Sequence, residues 1–127
     1  MKIKLTSLIV DNQDKALTFY TEILGFVKKT EMPAGEFKWL TVVSPDAPDD
    51  IELVLEPNNN PAAKTFQEAL YKQGIPLTAF NVDDIQKEYN RLTALGVNFR
   101  GAPAKAGPAT AAIFDDTCGN WIMIYQV

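Results

Sequence analysis

Histidine is the most informative absence from this chain. None of the 127 residues is a histidine, which excludes Ser-His-Asp and Cys-His catalysis, histidine general bases and every metal site that needs an imidazole ligand. Cysteine is almost as scarce, because Cys118 is the only one. A single cysteine cannot form an intramolecular disulfide, which is typical of a protein in a reducing cytoplasm. We therefore expect a cytoplasmic protein.

Basic clusters and long apolar runs are also missing. The chain has 12 basic and 16 acidic residues, for a formal net charge of −4, and Lys28-Lys29 is the only adjacent basic pair. Nucleic-acid binders usually carry a basic patch, so nucleic acid is not expected as a partner. No apolar run is long enough to cross a bilayer, and no signal-peptide-like stretch follows Met1. A membrane partner is not expected either.

The pattern that is present occurs twice. In the first half, strands are predicted at residues 3–10, 26–31, 37–44 and 51–56. After the first strand, apolar residues recur at helical spacing from Ala16 to Leu24, in a helix capped by Asp11-Asn12 and ended by Gly25. In the second half, Asp83 with Gln86 resembles a capping box and Gly96 ends the helix. The strands there are predicted at residues 77–82, 97–100, 109–114 and 120–126. The chain is thus predicted to be α+β, with module one at 1–57, a connector helix at 58–74 and module two at 75–127 in one domain.

Three stretches carry a resemblance to a known superfamily. They are Val10-Asp-Asn-Gln-Asp-Lys-Ala-Leu-Thr-Phe-Tyr20 with Leu24-Gly25-Phe26, then Trp39-Leu-Thr-Val-Val-Ser-Pro45, and the closing Asp115-Asp-Thr-Cys-Gly-Asn120. Together they resemble the vicinal oxygen chelate superfamily, which includes glyoxalase I, extradiol dioxygenases, methylmalonyl-CoA epimerase and the fosfomycin- and bleomycin-resistance proteins. The resemblance covers nearly the whole chain. It does not identify a reaction, because members of the superfamily differ widely in chemistry.

The resemblance implies a cup formed by two βαβββ modules, with a divalent ion in the metalloenzymes of the family. Residues of the first and last strands of each module hold that ion, and the internal repeat places Leu5, Glu52, Leu77 and Met123 at those positions. Only Glu52 offers the oxygen ligand that a hard cation prefers. We therefore expect no metal and no cofactor.

Alternation along the strands predicts which side chains line the cup. The predicted ligand-binding residues are Leu5, Ser7, Ile9, Trp39, Thr41, Glu52, Val54, Leu77, Ala79, Asn81, Trp121, Met123 and Tyr125. The repeat also matches Trp39 with Thr110 and Thr41 with Ala112, which puts Thr110 and Ala112 on the same side. Apolar walls with a few polar groups are typical of small-molecule sites. The alternative is a collapsed interior filled by Leu5, Leu77 and Met123, with the tryptophans in a core or an interface.

Glu52 lies between the apolar residues Ile51 and Leu53. Its carboxylate therefore needs a solvated cup, a hydrogen-bonding or charged partner, or a raised pKa.

We weigh three functions. The favoured one is metal-independent binding of an apolar or aromatic small molecule, and a carboxylate in the pocket is compatible with an amine-bearing compound. The second is a diverged lyase, isomerase or dioxygenase-type enzyme with Glu52 as its catalytic base. The third is a non-catalytic dimerising module. The resemblance implies a cup closed either within one chain or between two chains, and a homodimer is the more usual outcome, which concave apolar sheets would favour.

Overall fold

The computed structural model describes residues 1–127, which divide into two compact units, Met1–Phe66 and Gln67–Val127. The first unit contains β1 (Leu5–Val10), α1 (Gln13–Thr18), a π-helical turn (Phe19–Ile23), β2 (Val27–Ala34), β3 (Phe37–Val43) and β4 (Glu52–Pro57). Helix α2 (Pro61–Gln73) spans the boundary. The second unit contains β5 (Thr78–Asn81), α3 (Ile85–Ala94), β6 (Ala104–Ala106), β7 (Ala109–Asp115) and β8 (Trp121–Gln126).

The two units repeat one sheet topology. The strand order is β1-β4-β3-β2 in the first sheet and β5-β8-β7-β6 in the second. In each sheet the first and last strands of the unit pair in parallel, and the remaining pairs are antiparallel. The predicted α+β class and the repeated βαβββ order are therefore confirmed.

The core of the first unit lies between one face of its sheet and α1. Leu8 and Val10 of β1 alternate with more exposed neighbours, and Leu40 and Leu55 are fully buried. Helix α1 contacts β3 and β4. Asn12 caps the helix as predicted, with its Oδ1 accepting a hydrogen bond from the Lys15 N–H at 3.0 Å. Alternate strand residues thus fill this core, and the others lie on the opposite face of the sheet.

The second unit has its core between β7, β8 and α3. The buried residues Ile85 and Leu92 of α3 lie with Phe114, Ile122 and Ile124 of the two strands. The N-cap of α3 is Asp84 and not Asp83, because Asp84 has the extended backbone that precedes the helix, and its Oδ1 accepts from the Lys87 N–H at 3.1 Å. The predicted capping box is therefore wrong by one residue.

The strand predicted at residues 97–100 is present only as a short pairing with β7. Phe99 bridges Phe114, the Arg100 N–H donates to the Ile113 carbonyl, and the Asp115 N–H donates to the Asn98 carbonyl. A further strand, β6, forms at Ala104–Ala106, where the sequence did not predict one. The Phe99 ring packs edge-on against Tyr89 and Phe114, with centroids 4.7 and 5.4 Å away. This segment therefore combines a short backbone pairing with β7 and packing of the Phe99 ring against Tyr89 of α3.

No helix of the chain combines the length and the apolar character needed to cross a membrane.

Candidate functional site

One face of the first sheet collects every ligand-binding residue predicted in that half. Leu5 lies opposite Glu52, and Val54 lies between Ser7 on one side and Thr41 on the other. Ile9 and Trp39 follow on the same face by alternation. The shared face carries Leu5, Ser7, Ile9, Trp39, Thr41, Glu52 and Val54. The structure brings these residues together, and their role in binding stays a prediction.

Strands β3 and β4 separate at one end of this face. They pair over three positions only, Thr41–Val43 with Glu52–Val54. Beyond them β3 stays paired with β2 as far as Phe37, and β4 stays paired with β1 as far as Pro57. Extending the register would set Pro57 opposite Lys38, and proline has no N–H to donate to the ladder. At this end the sheet divides into two ribbons, β2 with β3 and β1 with β4.

A cleft of about 490 Å³ lies at this division, and we call it the module-one cleft. Three predicted residues line it, namely Ile9, Trp39 and Val54. The remaining lining residues are Ala34, Phe37, Lys38, Glu56, Pro57, Asn59, Asn60, Ala62 and Ala63. The volume falls within the usual range for small-molecule sites, and the mixture of apolar walls with a few polar groups is typical of them.

The carboxylates of this face have hydroxyl partners. Thr41, which is fully buried, donates from Oγ1 to Glu52 Oε1 at 2.8 Å. Ser7 donates from Oγ to Glu56 Oε1 at 3.2 Å. Of the three conditions proposed for Glu52, the structure thus shows a hydrogen-bonding partner. Glu56 and not Glu52 lines the module-one cleft. Glu56 alternates with Glu52 and Val54 in β4, and this alternation is the sequence signal that places it on the same face.

Lys38 is the one cation of the module-one cleft, and two carboxylates neutralise it. Its Nζ lies 2.8 Å from Asp14 Oδ1 and 2.9 Å from Glu31 Oε2. The hydrogen bond to Asp14, followed by that to Glu31, raises the pKa of Lys38. The hydrogen bond from Lys28, followed by that from Lys38, lowers the pKa of Glu31. An adjoining cavity of about 380 Å³ shares Lys38 and adds the carboxylates of Asp11, Asp14 and Glu36.

In the second sheet Trp121, Met123 and Tyr125 of β8 share one face by alternation, as predicted. Ala79 lies opposite Met123 and Asn81 opposite Tyr125, so these four residues share a face. Their neighbours on β7 are Ile113 and Ala111. The expectation for Thr110 and Ala112 is therefore wrong, since Ala112 lies opposite Ile124 on the buried face. A one-residue slip in matching the repeat moves every side chain of a strand to the other face.

Leu77 and Met123, which the repeat assigned to the same positions as Leu5 and Glu52, do not lie opposite each other. Leu77 precedes β5, and its N–H donates to the Trp121 carbonyl at 2.9 Å. The counterpart of the Leu5–Glu52 pair is therefore Ala79–Met123. The mismatch arises because the two halves differ in the spacing between their first and last strands. No group of three or more acidic or cysteine side chains is placed to hold a metal ion, and metal independence stays a prediction.

Trp121 is engaged by residues of its own unit. Its ring stacks on Tyr71, with centroids 5.1 Å apart and planes 11° from parallel. The Arg100 guanidinium carbon lies 5.0 Å from the centroid of the Trp121 ring. The indole N–H donates to the Tyr71 carbonyl at 3.1 Å. The Tyr71 hydroxyl in turn donates to Asp115 Oδ2 at 2.6 Å, which raises the pKa of Tyr71. Trp121 thus has a structural role beside the binding role predicted for it, whereas Trp39 faces an open cleft.

The repeated βαβββ topology agrees with the family that the sequence matches. The family model described as the Glyoxalase/Bleomycin resistance protein/Dioxygenase superfamily matches residues 2–124. The chain belongs to that superfamily. The resemblance noted from the sequence is therefore confirmed.

Particular relatives are similar over nearly the whole chain. The uncharacterized protein YurT of Bacillus subtilis (strain 168) is 57% identical over 126 residues, which is 99% of each chain. The crystal structure of UcmS2 has 33% identity and a TM-score of 0.83, covering 98% of this chain and 97% of that one. TnmS3, an antibiotic binding protein from Streptomyces sp. CB03234, has 29% identity and a TM-score of 0.78, covering 99% of this chain and 95% of that one.

Proposed function

We propose that this protein binds an apolar or aromatic small molecule, without a metal, in the module-one cleft. The observation that carries the proposal is the cleft itself, which opens where β3 and β4 separate and exposes Trp39 within it. Residue Trp39 is 37% exposed, so a ring or chain placed against its indole would remove apolar surface from water.

The polar groups of the cleft favour a neutral or amine-bearing ligand. Glu56 is a carboxylate inside the cleft, and Lys38 is already paired with Asp14 and Glu31. An anionic ligand would have to compete with those carboxylates for the single ammonium. A ligand amine would instead meet Glu56 at the end of an apolar wall.

The relatives support the same class of function. TnmS3 is an antibiotic binding protein, and it is similar to this chain over nearly its whole length. Aromatic antibiotics, with and without an amine, are therefore the first compounds to test. Binding by sequestration needs no catalytic group, which fits a cleft that contains no histidine and no paired nucleophile and base.

The two tryptophans allow the site to be identified directly. Trp121→Phe leaves Trp39 as the only tryptophan, and Trp39→Phe leaves Trp121, so that excitation selective for tryptophan reports one site at a time. A bound aromatic compound is expected to quench the emission of the Trp121→Phe protein and to leave that of the Trp39→Phe protein nearly unchanged. It should also raise the melting temperature, with a stabilisation of about 2.7 kcal/mol at a hundredfold excess over Kd.

A pair of alanine variants on α2 serves as the steric test. Ala63 lines the module-one cleft, whereas Ala69 lies on the same helix with an exposed side chain. Ala63→Phe should fill the cleft and abolish binding, and Ala69→Phe should leave it intact. Quenching confined to Trp121, binding that survives Ala63→Phe, or no response to any compound of a broad aromatic panel would each overturn the proposal.

A further inference from the structure

A single side chain occupies the gap between the separated ends of β3 and β4. Gln13, the first residue of α1, is buried with 8% exposure. Its Nε2 donates to the carbonyls of Lys38 and Leu55, each at 2.8 Å, and its Oε1 accepts from the Lys38 N–H at 3.0 Å. The Gln13 amide therefore satisfies both peptide groups of Lys38 and one carbonyl of β4.

We propose that Gln13 sets the opening of the module-one cleft, acting as a positioning residue through β3. Gln13 does not line that cleft, whereas Phe37, Lys38 and Trp39, which flank or include the peptide it holds, all do. The consequence for ligand affinity rests on the proposed function. The positioning of β3 does not, and it can be measured without a ligand.

The sequence supplies a reason why a side chain is needed there. In the extended register Pro57 would face Lys38, and it has no N–H to donate to the Lys38 carbonyl. Gln13 supplies that donor and an acceptor for the Lys38 N–H, as a paired strand residue would. Because the amide comes from a helix, it spans the two strands without drawing them into register. The peptide groups at the gap thus have hydrogen-bond partners, while β3 and β4 remain apart.

The second half has no glutamine at the corresponding helix position, and its two antiparallel strands are not separated. Asn12 and Asp84 are the N-caps of α1 and α3, so Ile85 occupies the helix position that corresponds to Gln13. There the β7–β8 ladder is continuous over six positions, from Thr110–Gln126 to Asp115–Trp121. An apolar residue at the start of the helix accompanies a closed pair of strands, and a glutamine accompanies an open pair.

Three variants, each in the Trp121→Phe background, test the proposal. Gln13→Met keeps the size and removes every hydrogen bond, Gln13→Glu keeps the acceptor, and Gln67→Met is the control. Gln67 is the matched residue because it is also a buried glutamine, but it belongs to the second unit. Its Nε2 donates to the Cys118 carbonyl and to Asn120 Oδ1 of that same unit. Gln67→Met should lower the free energy of unfolding without affecting β3.

The readouts are hydrogen exchange at the Lys38 amide and quenching of Trp39 by acrylamide. In Gln13→Met the Lys38 amide should exchange at least about tenfold faster than in the parent, relative to the Val42 amide of the same strand, because an unpaired buried group seeks water. The acrylamide quenching constant of Trp39 should rise roughly twofold as this end of β3 loosens. Gln67→Met should change neither ratio.

The Gln13→Glu variant adds a pH profile that a purely structural role would not produce. The ionised form of the introduced carboxyl could not donate to the two carbonyls, whereas its protonated form could donate to one. Burial and the facing carbonyls would raise the pKa of this carboxyl above its unfolded value of about 4.3. Its stabilising contribution is therefore present below that value and lost as the pH rises through the folded pKa. Trp39 quenching should approach the parent value near the acidic end and the Gln13→Met value at neutral pH.

The parent protein serves as the control for the titration of other charged groups near Gln13. Asp11, Asp14, Glu36 and Lys38 line the adjoining cavity with Gln13, so each measurement is taken as a ratio to the parent at the same pH. Unchanged Lys38 exchange in Gln13→Met, an equal response in Gln67→Met, or a flat ratio in Gln13→Glu would overturn the proposal. If Gln13→Met does not fold, the Gln13→Glu profile decides alone. Failure to find a ligand would overturn the proposed function and leave these readouts valid.

Discussion

The two halves of the molecule share a topology and differ where two antiparallel strands meet. In the first half β3 and β4 pair over three positions and are joined by residues 44–51. In the second half β7 and β8 pair over six positions and are joined by residues 116–120. The described cleft lies at the short ladder. A repeated fold therefore need not repeat its site, because the site depends on where strand pairing stops.

The short connection of the second half is held by a buried carboxylate. Asp116 is fully buried, and its oxygens accept from the N–H groups of Cys118 and Asn120 at 2.7 and 3.0 Å and from Asn120 Nδ2 at 2.8 Å. In the longer connection of the first half, exposed lysines bond to the carbonyls of Pro48 and Asp49. A buried hydrogen-bond network holds its connection in one conformation, whereas exposed contacts constrain the conformation only weakly.

Asp116→Ala should produce the largest loss of stability. It leaves buried donors without an acceptor, and we expect the free energy of unfolding to fall by about 3 kcal/mol or more. Urea unfolding measures the change. The control is Asp46→Ala in the exposed connection of the first half, which should stay within about 0.5 kcal/mol of the parent. Equal effects of the two substitutions would contradict the contrast drawn between the connections.

Two glycines with positive φ test the same contrast at a smaller scale. Gly119 in the second half has φ 98°, and a Cβ there would lie 2.8 Å from Gln67 Nε2, whereas Gly35 in the first half has φ 63° with nothing within 4 Å. Both alanine variants carry a backbone cost of about 1–2 kcal/mol. Gly119→Ala should cost about 1 kcal/mol more, because Gln67 must move within its buried network. Thermal unfolding of the two variants side by side checks the order, and a larger effect at Gly35 would refute it.

The smallest expected effect is on the ion pairs beside the module-one cleft. Lys38→Met removes one of the two ammonium groups that hold the pKa of Glu31 below its ordinary 4.5, so that pKa should rise and stay below 4.5 because Lys28 remains. A carboxyl with a lowered folded pKa stabilises the protein above its unfolded pKa, and this contribution is lost as the pH falls through the folded value. Lys38→Met should therefore lessen the loss of stability that Glu31 causes on acidification below about 4.5.

Carboxyl titration by NMR measures the pKa of Glu31 directly. Lys105→Met removes an exposed lysine from β6 of the other half, and it serves as the charge-matched control. An equal shift of the Glu31 pKa in both variants would show that the overall charge and not the local pair is responsible.

The residues of the first sheet show how far alternation reaches. Leu5, Ser7 and Ile9 were assigned to one face because side chains alternate along a strand, and their pairing with Glu52, Val54 and Glu56 agrees. The same reasoning failed for Thr110 and Ala112, where matching the repeat introduced a slip of one residue. Phe37, Lys38, Asn59 and Ala63 were missed as lining residues, since they lie beside the cleft only because β3 and β4 separate.

The sequence by itself determined the α+β class, the repeated order of strands and helices, the superfamily and the absence of imidazole chemistry. These features depend on composition and on periodicities that are local to each segment. Only the tertiary structure decided where the β3–β4 ladder ends, that Gln13 fills the gap and that α2 lines the cleft. Those features depend on which distant residues meet, as Gln13 meets Lys38 and Leu55. Strand register and side-chain bonds across a gap involve residues far apart in the chain, and no local pattern records them.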